Sequence, residues 1–302
     1  MVSRRVTSLL VAALILLLPQ VASAVVTPTK VYDPPANQWF PFRNASYLLY
    51  QGTSTAHPRH YNAYARDLTS GTNRKLNAKG TEGGPGGFDP GTNTAIFQEW
   101  SNGSAIRMFD LDSQTNVPVP GALNSPKWEW EPRISTAYIS FFRNTKVNGV
   151  WYADLYLYDR ASTDLTKVAR LRSAHYNLNG TVGEQYVTWS SCDRKTCHAY
   201  LYDALADTKT TIPTRNGRPQ YAATVDEAHG TLFFVRSGFG CGVSVIFYKV
   251  PVANLATAPT KVAQLPDGVD ADMSSLDGPD LLFSRIACSK NVGIYELGNV
   301  AT

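Results

Sequence analysis

The residues best suited to chemistry are four carboxylates: Glu129 and Glu131 in Trp128-Glu129-Trp130-Glu131, and Asp270 and Asp272 further along. Two carboxyl groups about 5 to 9.5 Å apart, with proton affinities pushed apart, can cleave a glycosidic bond. Alternation along a strand would aim Glu129 and Glu131 to one side. Carboxylates lining an opening also hold cations or water. Aromatic and amide residues stand at comparable places: Gln38 and Trp39, His175, Tyr176 and Asn177, Gln220 and Tyr221. Apolar walls with a few polar groups are the usual composition of a ligand site. Trp and Tyr at such positions equally pack between sheets, so a pocket reading and a packing reading both stand. Other catalytic devices are missing from the sequence. It holds no G-x-S-x-G, H-E-x-x-H, P-loop or dinucleotide fingerprint, so neither a cofactor nor a metal site is expected. Of the histidines, His57 and His60 fall in the polar run HPRH, which reads as a solvated loop, and His198 alternates with strand residues.

What could position these groups is an internal repeat. A short segment recurs: YARDL at 64–68, MFDLD at 108–112, YLYDR at 156–160, YLYDA at 200–204, then more loosely IFYKV at 246–250 and GIYEL at 293–297. Anchored on Asp67, Asp110, Asp159, Asp203, Lys249 and Glu296, the steps are 43, 49, 44, 46 and 47 residues. A four-stranded propeller blade takes about 40–45 residues. An apolar strand precedes each anchor, and a short strand follows about nine residues later in the first four units. An insertion delays that strand in the fifth unit to 260–265, and the sixth lacks it because the chain ends there. A matching segment, TKVYD, lies at 29–33. A ring with open sheet edges would invite aggregation, so this segment is expected to complete blade six. The predicted fold is all-β: a six-bladed β-propeller of four-stranded antiparallel blades, closed by an N-terminal strand. A β-sandwich would not explain six near-equal steps.

In such a ring the first strand of each blade lines the channel and the loop before it rims one face. The expected rim is therefore Trp39, Trp128, Glu129, Trp130, Glu131, His175, Tyr176, Tyr221, Asp270 and Asp272. The Gly-rich GTEGGPGG at 80–87 is expected to leave that mouth open. The unit of a turn with Asp, an apolar strand, an aromatic strand ending in Asp and a basic-apolar strand resembles the TolB-like, WD40-like (PD40-type) propeller repeat. Asp277-Gly278 and Asp89-Pro90-Gly91 match that family's Ser-Pro-Asp-Gly turn only in part. The resemblance implies a fold that serves binding proteins, scaffolds and enzyme-linked domains alike.

The N-terminus reads as an export signal over residues 1–24: Arg4 and Arg5, the apolar run from Leu9 to Leu18, then Ala22-Ser23-Ala24. The remainder, 25–302, reads as one propeller domain with no stable membrane insertion after cleavage. Export to a secreted or periplasmic location suits four cysteines. Cys192 and Cys197 flank a hairpin tip in blade four, within disulfide reach. Cys241 and Cys288 hold equivalent places in blades five and six and are expected to bridge them. The net charge of +4 is scattered, which argues against nucleic acid as a partner. The expected function is an exported, non-catalytic binding or scaffold protein that takes a protein or extracellular glycan at the channel rim. The alternative is a glycoside hydrolase or lyase using the channel carboxylates. The mass of the unreduced exported protein checks two of these readings together. It should match a chain that begins at Val25 and carries no free thiol.

Overall fold

Short runs of alternating or fully apolar residues, bounded by turn formers, make strands rather than helices. Among the described residues the only helical pieces are two 3-10 turns, Gly121–Leu123 and Val252–Asn254. The computed structural model describes residues 26–33, 37–53, 57, 59–173, 175–193, 196–214, 219–236, 245–266, 269–287 and 290–300. Its strands form six four-stranded antiparallel sheets, each built from consecutive strands, with one exception. In blade six Thr29–Tyr32 is the outer strand and pairs with Lys290–Leu297, Thr29 opposite Glu296. The fold is the expected propeller, and the N-terminal strand completes the last blade.

The innermost strands are Gln38–Arg43, Glu82–Phe88, Glu129–Ile134, Tyr176–Val182, Gln220–Asp226 and Val269–Asp277. Because each sheet is antiparallel and in sequence order, two kinds of connection gather at each end of the ring. The loops into the inner strands and the hairpins between second and third strands share one end, here the loop face. The turns after the first and third strands share the other, the turn face.

No single core exists. Six apolar clusters fill the six seams between neighbouring blades, for example Phe42, Leu49, Phe97 and Phe109 between blades one and two. Leu48 and Tyr50 of blade one meet Leu282 and Ile294 of blade six, which closes the circle. The repeated aspartate has a local reason. Asp67, Asp110, Asp159 and Asp203 each accept two backbone N–H groups from the turn that follows the third strand. These bonds favour the ionised form and hold Asp67, Asp110 and Asp159 below the usual carboxylate range.

Polar links join every pair of neighbours at the turn face. Arg160 of blade three grips Asp89 of blade two with two hydrogen bonds of 2.7 and 2.9 Å. Glu227 of blade five accepts the backbone N–H groups of Glu184, Gln185 and Tyr186 in blade four. Glu184 in turn accepts the N–H of Thr136 in blade three, Asn44 donates to Asn93 across blades one and two, and Lys249 donates to the Val300 carbonyl across blades five and six. Arg43 of blade one bonds Glu296 at 2.7 Å and Asp280 at 3.3 Å in blade six.

Every inner strand carries a register shift at its middle, where an extra residue is inserted. Phe40, Glu131 and Ala222 take this place in blades one, three and five, with φ of 53°, 48° and 51°. In blade two the glycine run does not open the mouth. It forms the inner strand, and a Cβ on Gly86 would stand 2.3 Å from the Pro132 carbonyl oxygen of blade three. The glycine lets two backbones approach where a side chain would collide. Gly86→Ala should therefore destabilise the fold by about 1–3 kcal/mol as an overpacked site. Gly103→Ala, at a position with nothing within 4 Å, should leave the denaturation midpoint nearly unchanged.

Candidate functional site

The loop face carries the strongest candidate. The second and third strands of blade three run ten residues each, Tyr138–Val147 and Val150–Asp159, longer than those of the other blades. They turn through Asn148-Gly149, both at positive φ, the tight hairpin turn those residues favour. The long hairpin raises its tip above the ring. Seven large apolar side chains are exposed among the described residues. Four of them, Trp128, Val147, Val150 and Trp151, lie on this blade at the loop face.

At the foot of the hairpin a trough of about 400 Å³ crosses from blade one to blade three. Trp100, Trp128 and Trp130 form its apolar walls, and Gln51, Gln98 and Asn144 bring amides to it. A second hollow of about 510 Å³ continues past Trp151 and shares Trp128, Asn144 and Ser173 with the first. Trp130 stacks on Phe142 with ring centres 4.5 Å apart, and its indole N–H donates to Asn144 Oδ1 at 3.0 Å. Trp100 donates its indole N–H to Glu82 at 2.7 Å. These bonds fix the rings in place before any ligand arrives. Glu131 reaches the trough from a polar chain across three blades. Its N–H donates to Gln98 in blade two, and its carboxylate accepts the Asn179 N–H of blade four at 2.6 Å.

The expected rim residues separate on this frame. Trp128, Trp130 and Glu131 line the trough together. Trp39 stands apart on blade one, edge-on to Tyr61 at 5.5 Å. Tyr221 is buried in the seam cluster that contains Phe233 and Val235. His175 lies beside Ser191, 3.4 Å from its hydroxyl. Tyr176 pairs with Cys192 on the neighbouring strand; Asp270 and Asp272 lie opposite Ile286 and Ser284. The side chains of Tyr176, Asp270 and Asp272 are outside what the structure describes.

Glu129 does not join Glu131. The inserted residue breaks the alternation, and Glu129 is fully buried. Arg143 donates to it at 2.8 Å and the Ser125 hydroxyl at 2.5 Å. The Arg143 guanidinium lies over Phe141 and Tyr156, about 5 Å from each ring. Blade five repeats the arrangement. Arg236 donates to Gln220 at 2.6 Å and lies over Phe234 and Tyr248. The same lock thus works with a neutral amide in the place of Glu129, which marks it as an architectural bond. A paired-carboxylate mechanism through Glu129 and Glu131 has no support in this geometry. Among the described residues no three His, Cys, Asp or Glu side chains are grouped to hold a metal ion.

Cys192 and Cys197 form the expected disulfide, with Cα atoms 3.9 Å apart across the blade-four hairpin. Cys241 and Cys288 lie outside the described residues. Among the described residues no helix is long and apolar enough to cross a membrane.

Fold and site together define a six-bladed β-propeller with an aromatic trough on its loop face. Solved structures with the same fold include TolB from Acinetobacter baumannii, at 14% identity and a TM-score of 0.50, covering 77% of this chain and 56% of that one. This chain therefore spans little more than half of that TolB. An oligogalacturonate lyase in complex with manganese aligns at 12% identity and a TM-score of 0.54, covering 86% of this chain and 81% of the lyase. The propeller domain of the Trilobed protease from Pyrococcus furiosus aligns at 9% identity and a TM-score of 0.52, covering 88% and 94%. At these identities the likeness is one of fold, shared by TolB proteins and by enzymes. No protein-family model matches the chain, and no curated protein matches its sequence.

Because blade five uses an amide where blade three uses Glu129, Glu129→Gln should fold with near-normal stability. Glu129→Ala should cost about 3–5 kcal/mol, because Arg143 would lose its buried partner. Chemical denaturation of the two variants beside the parent checks this pair.

Proposed function

We propose that this chain is an exported binding protein whose trough at blades one to three takes a glycan. The observation that carries the reading is the pair of adjoining hollows, about 400 and 510 Å³, walled by tryptophans and floored by amides. Sugar rings present flat C–H faces and rims of hydroxyl groups. Flat aromatic walls with a few hydrogen-bonding groups answer both. Trp128 and Trp151 remain 45% and 53% exposed, so their faces are open to a ligand. The Asn144 amide nitrogen donates to no protein group among the described residues, which leaves a donor for a sugar hydroxyl. The disulfide supports export, since such bonds persist in oxidising compartments.

A protein partner is the second reading, and the exposed valines at the hairpin tip favour it. An apolar tip of Val147, Val150 and Trp151 is a surface that another protein would cover. Binding assays on a glycan panel and on envelope fractions, with bond cleavage monitored in parallel, separate the readings. For a glycan, Trp128→Ala and Trp151→Ala should each weaken binding about tenfold or more, a common loss for a stacked aromatic. Val150→Asp should leave glycan binding unchanged but abolish capture of a protein. Turnover by the parent that is lost in Glu131→Gln, with the fold intact, would instead make the chain a hydrolase or lyase.

A further inference from the structure

Arg133 lies in the central channel and touches both of its ends. It borders the aromatic trough on the loop side and a separate chamber of about 220 Å³ on the turn side. All six inner strands contribute to that chamber, which also holds the hydroxyl groups of Thr181, Thr224 and Ser275. Arg133 is 4% exposed. Its guanidinium donates to the carbonyl oxygens of Pro132, Asn179 and Gly180 at 2.9 to 3.0 Å. A guanidinium has five N–H bonds, so two are left over. Its flat face covers Phe42 at 4.9 Å.

Every hydrogen bond it makes is to a neutral group. Among the described residues no carboxylate lies within 4 Å of it, whereas Arg43, Arg143, Arg160 and Arg170 each have one. Glu131 acts on Arg133 only through its charge and gives its carboxylate to the Asn179 N–H. Burial pulls the guanidinium down to about 10, so it still carries its proton at neutral pH. A buried charge whose nearest counter-charge stands beyond ion-pair distance is only partly compensated. Arg43, the other cation of the chamber, is already bonded to Glu296 and Asp280.

We propose that the turn-side chamber of the channel binds one small anion, of phosphate, carboxylate or halide type, with the Arg133 guanidinium as its main donor. The chamber has room for an ion of that size. The Ser275 hydroxyl donates to the Pro41 carbonyl and the Thr224 hydroxyl to Thr181 Oγ1 at 3.2 Å, so an anion there draws its second donor by turning the Thr224 hydroxyl away from Thr181. The chamber lies at the other end of the channel from the aromatic trough, and Arg133 is the lining residue the two share. Its occupant neutralises the charge at the axis and joins blades three, four, five and six through one centre.

Inorganic phosphate, acetate and chloride, titrated separately into the exported protein by calorimetry at constant ionic strength, test the proposal and identify the class. One of the three should bind with one-to-one stoichiometry. Arg133→Met should weaken it about tenfold or more, the loss expected for hydrogen bonds to a charged donor. Thr224→Val keeps shape and removes one hydroxyl. It should weaken binding by about threefold, and it serves where Arg133→Met does not fold. The proposal is overturned if none of the three anions binds, if binding is unchanged in the folded variants, or if a crystal structure puts the Asp272 carboxylate against Arg133.

Discussion

The structure depends on one closure. A ring of sheets is stable only if its last blade is complete, because an open edge would leave a row of unpaired backbone groups. Here strand Thr29–Tyr32 supplies that edge by pairing with Lys290–Leu297. A few residues later the chain begins blade one, so the first and last described strands share a single sheet. Arg43 reinforces the junction from the other side by bonding Glu296, which is itself opposite Thr29. The seam between blades six and one is therefore held by backbone pairing, an ion pair and the Leu48–Leu282 packing together. With the apolar surface divided among six seams, loosening any one of them would release the ring as a whole.

Closure also explains the contrast between the two faces. At the turn face each blade grips the next through short polar side chains and backbone N–H groups, as in Glu227 over the blade-four turn. Those contacts tie the turns to structural work. Among the described residues the loop face shows polar links between some neighbours, as from Gln51 to the Gly83 carbonyl, and its hairpins differ in length. Blade three has the longest of them, and the exposed tryptophans sit there. Conformational strain is no guide to the site in this molecule. The positive φ of Glu131 would invite a functional reading if it stood alone. Phe40 and Ala222 share the conformation at the same place in their blades, so the ring geometry accounts for it.

The architecture was legible in the sequence because its signals are local and repeated. An aspartate that accepts two N–H groups from its own turn leaves the same mark in four blades, and the TKVYD segment has no partner except the unfinished sixth unit. The completion of blade six by an N-terminal strand was legible for that reason. The candidate site was legible only in part. Trp128, Trp130 and Glu131 lie in one stretch of chain, so they were found together. Trp100, Asn144 and Ser173 reach the trough, and Trp151 the hollow beside it, from other parts of the chain, and no local pattern joins them. One signal was available: the step from Asp110 to Asp159 is 49 residues, the longest of the series, and the surplus is the raised hairpin. The alternation rule failed for Glu129 because an inserted residue changes which face a side chain meets. The glycine run misled for a related reason. It marks close packing between inner strands, where backbone rather than side chain is the neighbour.

The buried arginines of the ring show how much a sequence conceals about charge. Arg143 and Arg236 occupy matching places, each over two aromatic rings, yet one faces a carboxylate and the other an amide. The two positions thus share a bonded acceptor of similar shape, one charged and one neutral. Arg133 faces carbonyl oxygens alone, from its own strand and from blade four. Carbonyl dipoles can satisfy the geometry of a guanidinium, but they do not cancel its charge. Hydrogen bonding and charge balance are separate requirements for a buried ion. At the axis carbonyl oxygens meet the first, and the Glu131 carboxylate answers the second only from beyond ion-pair distance.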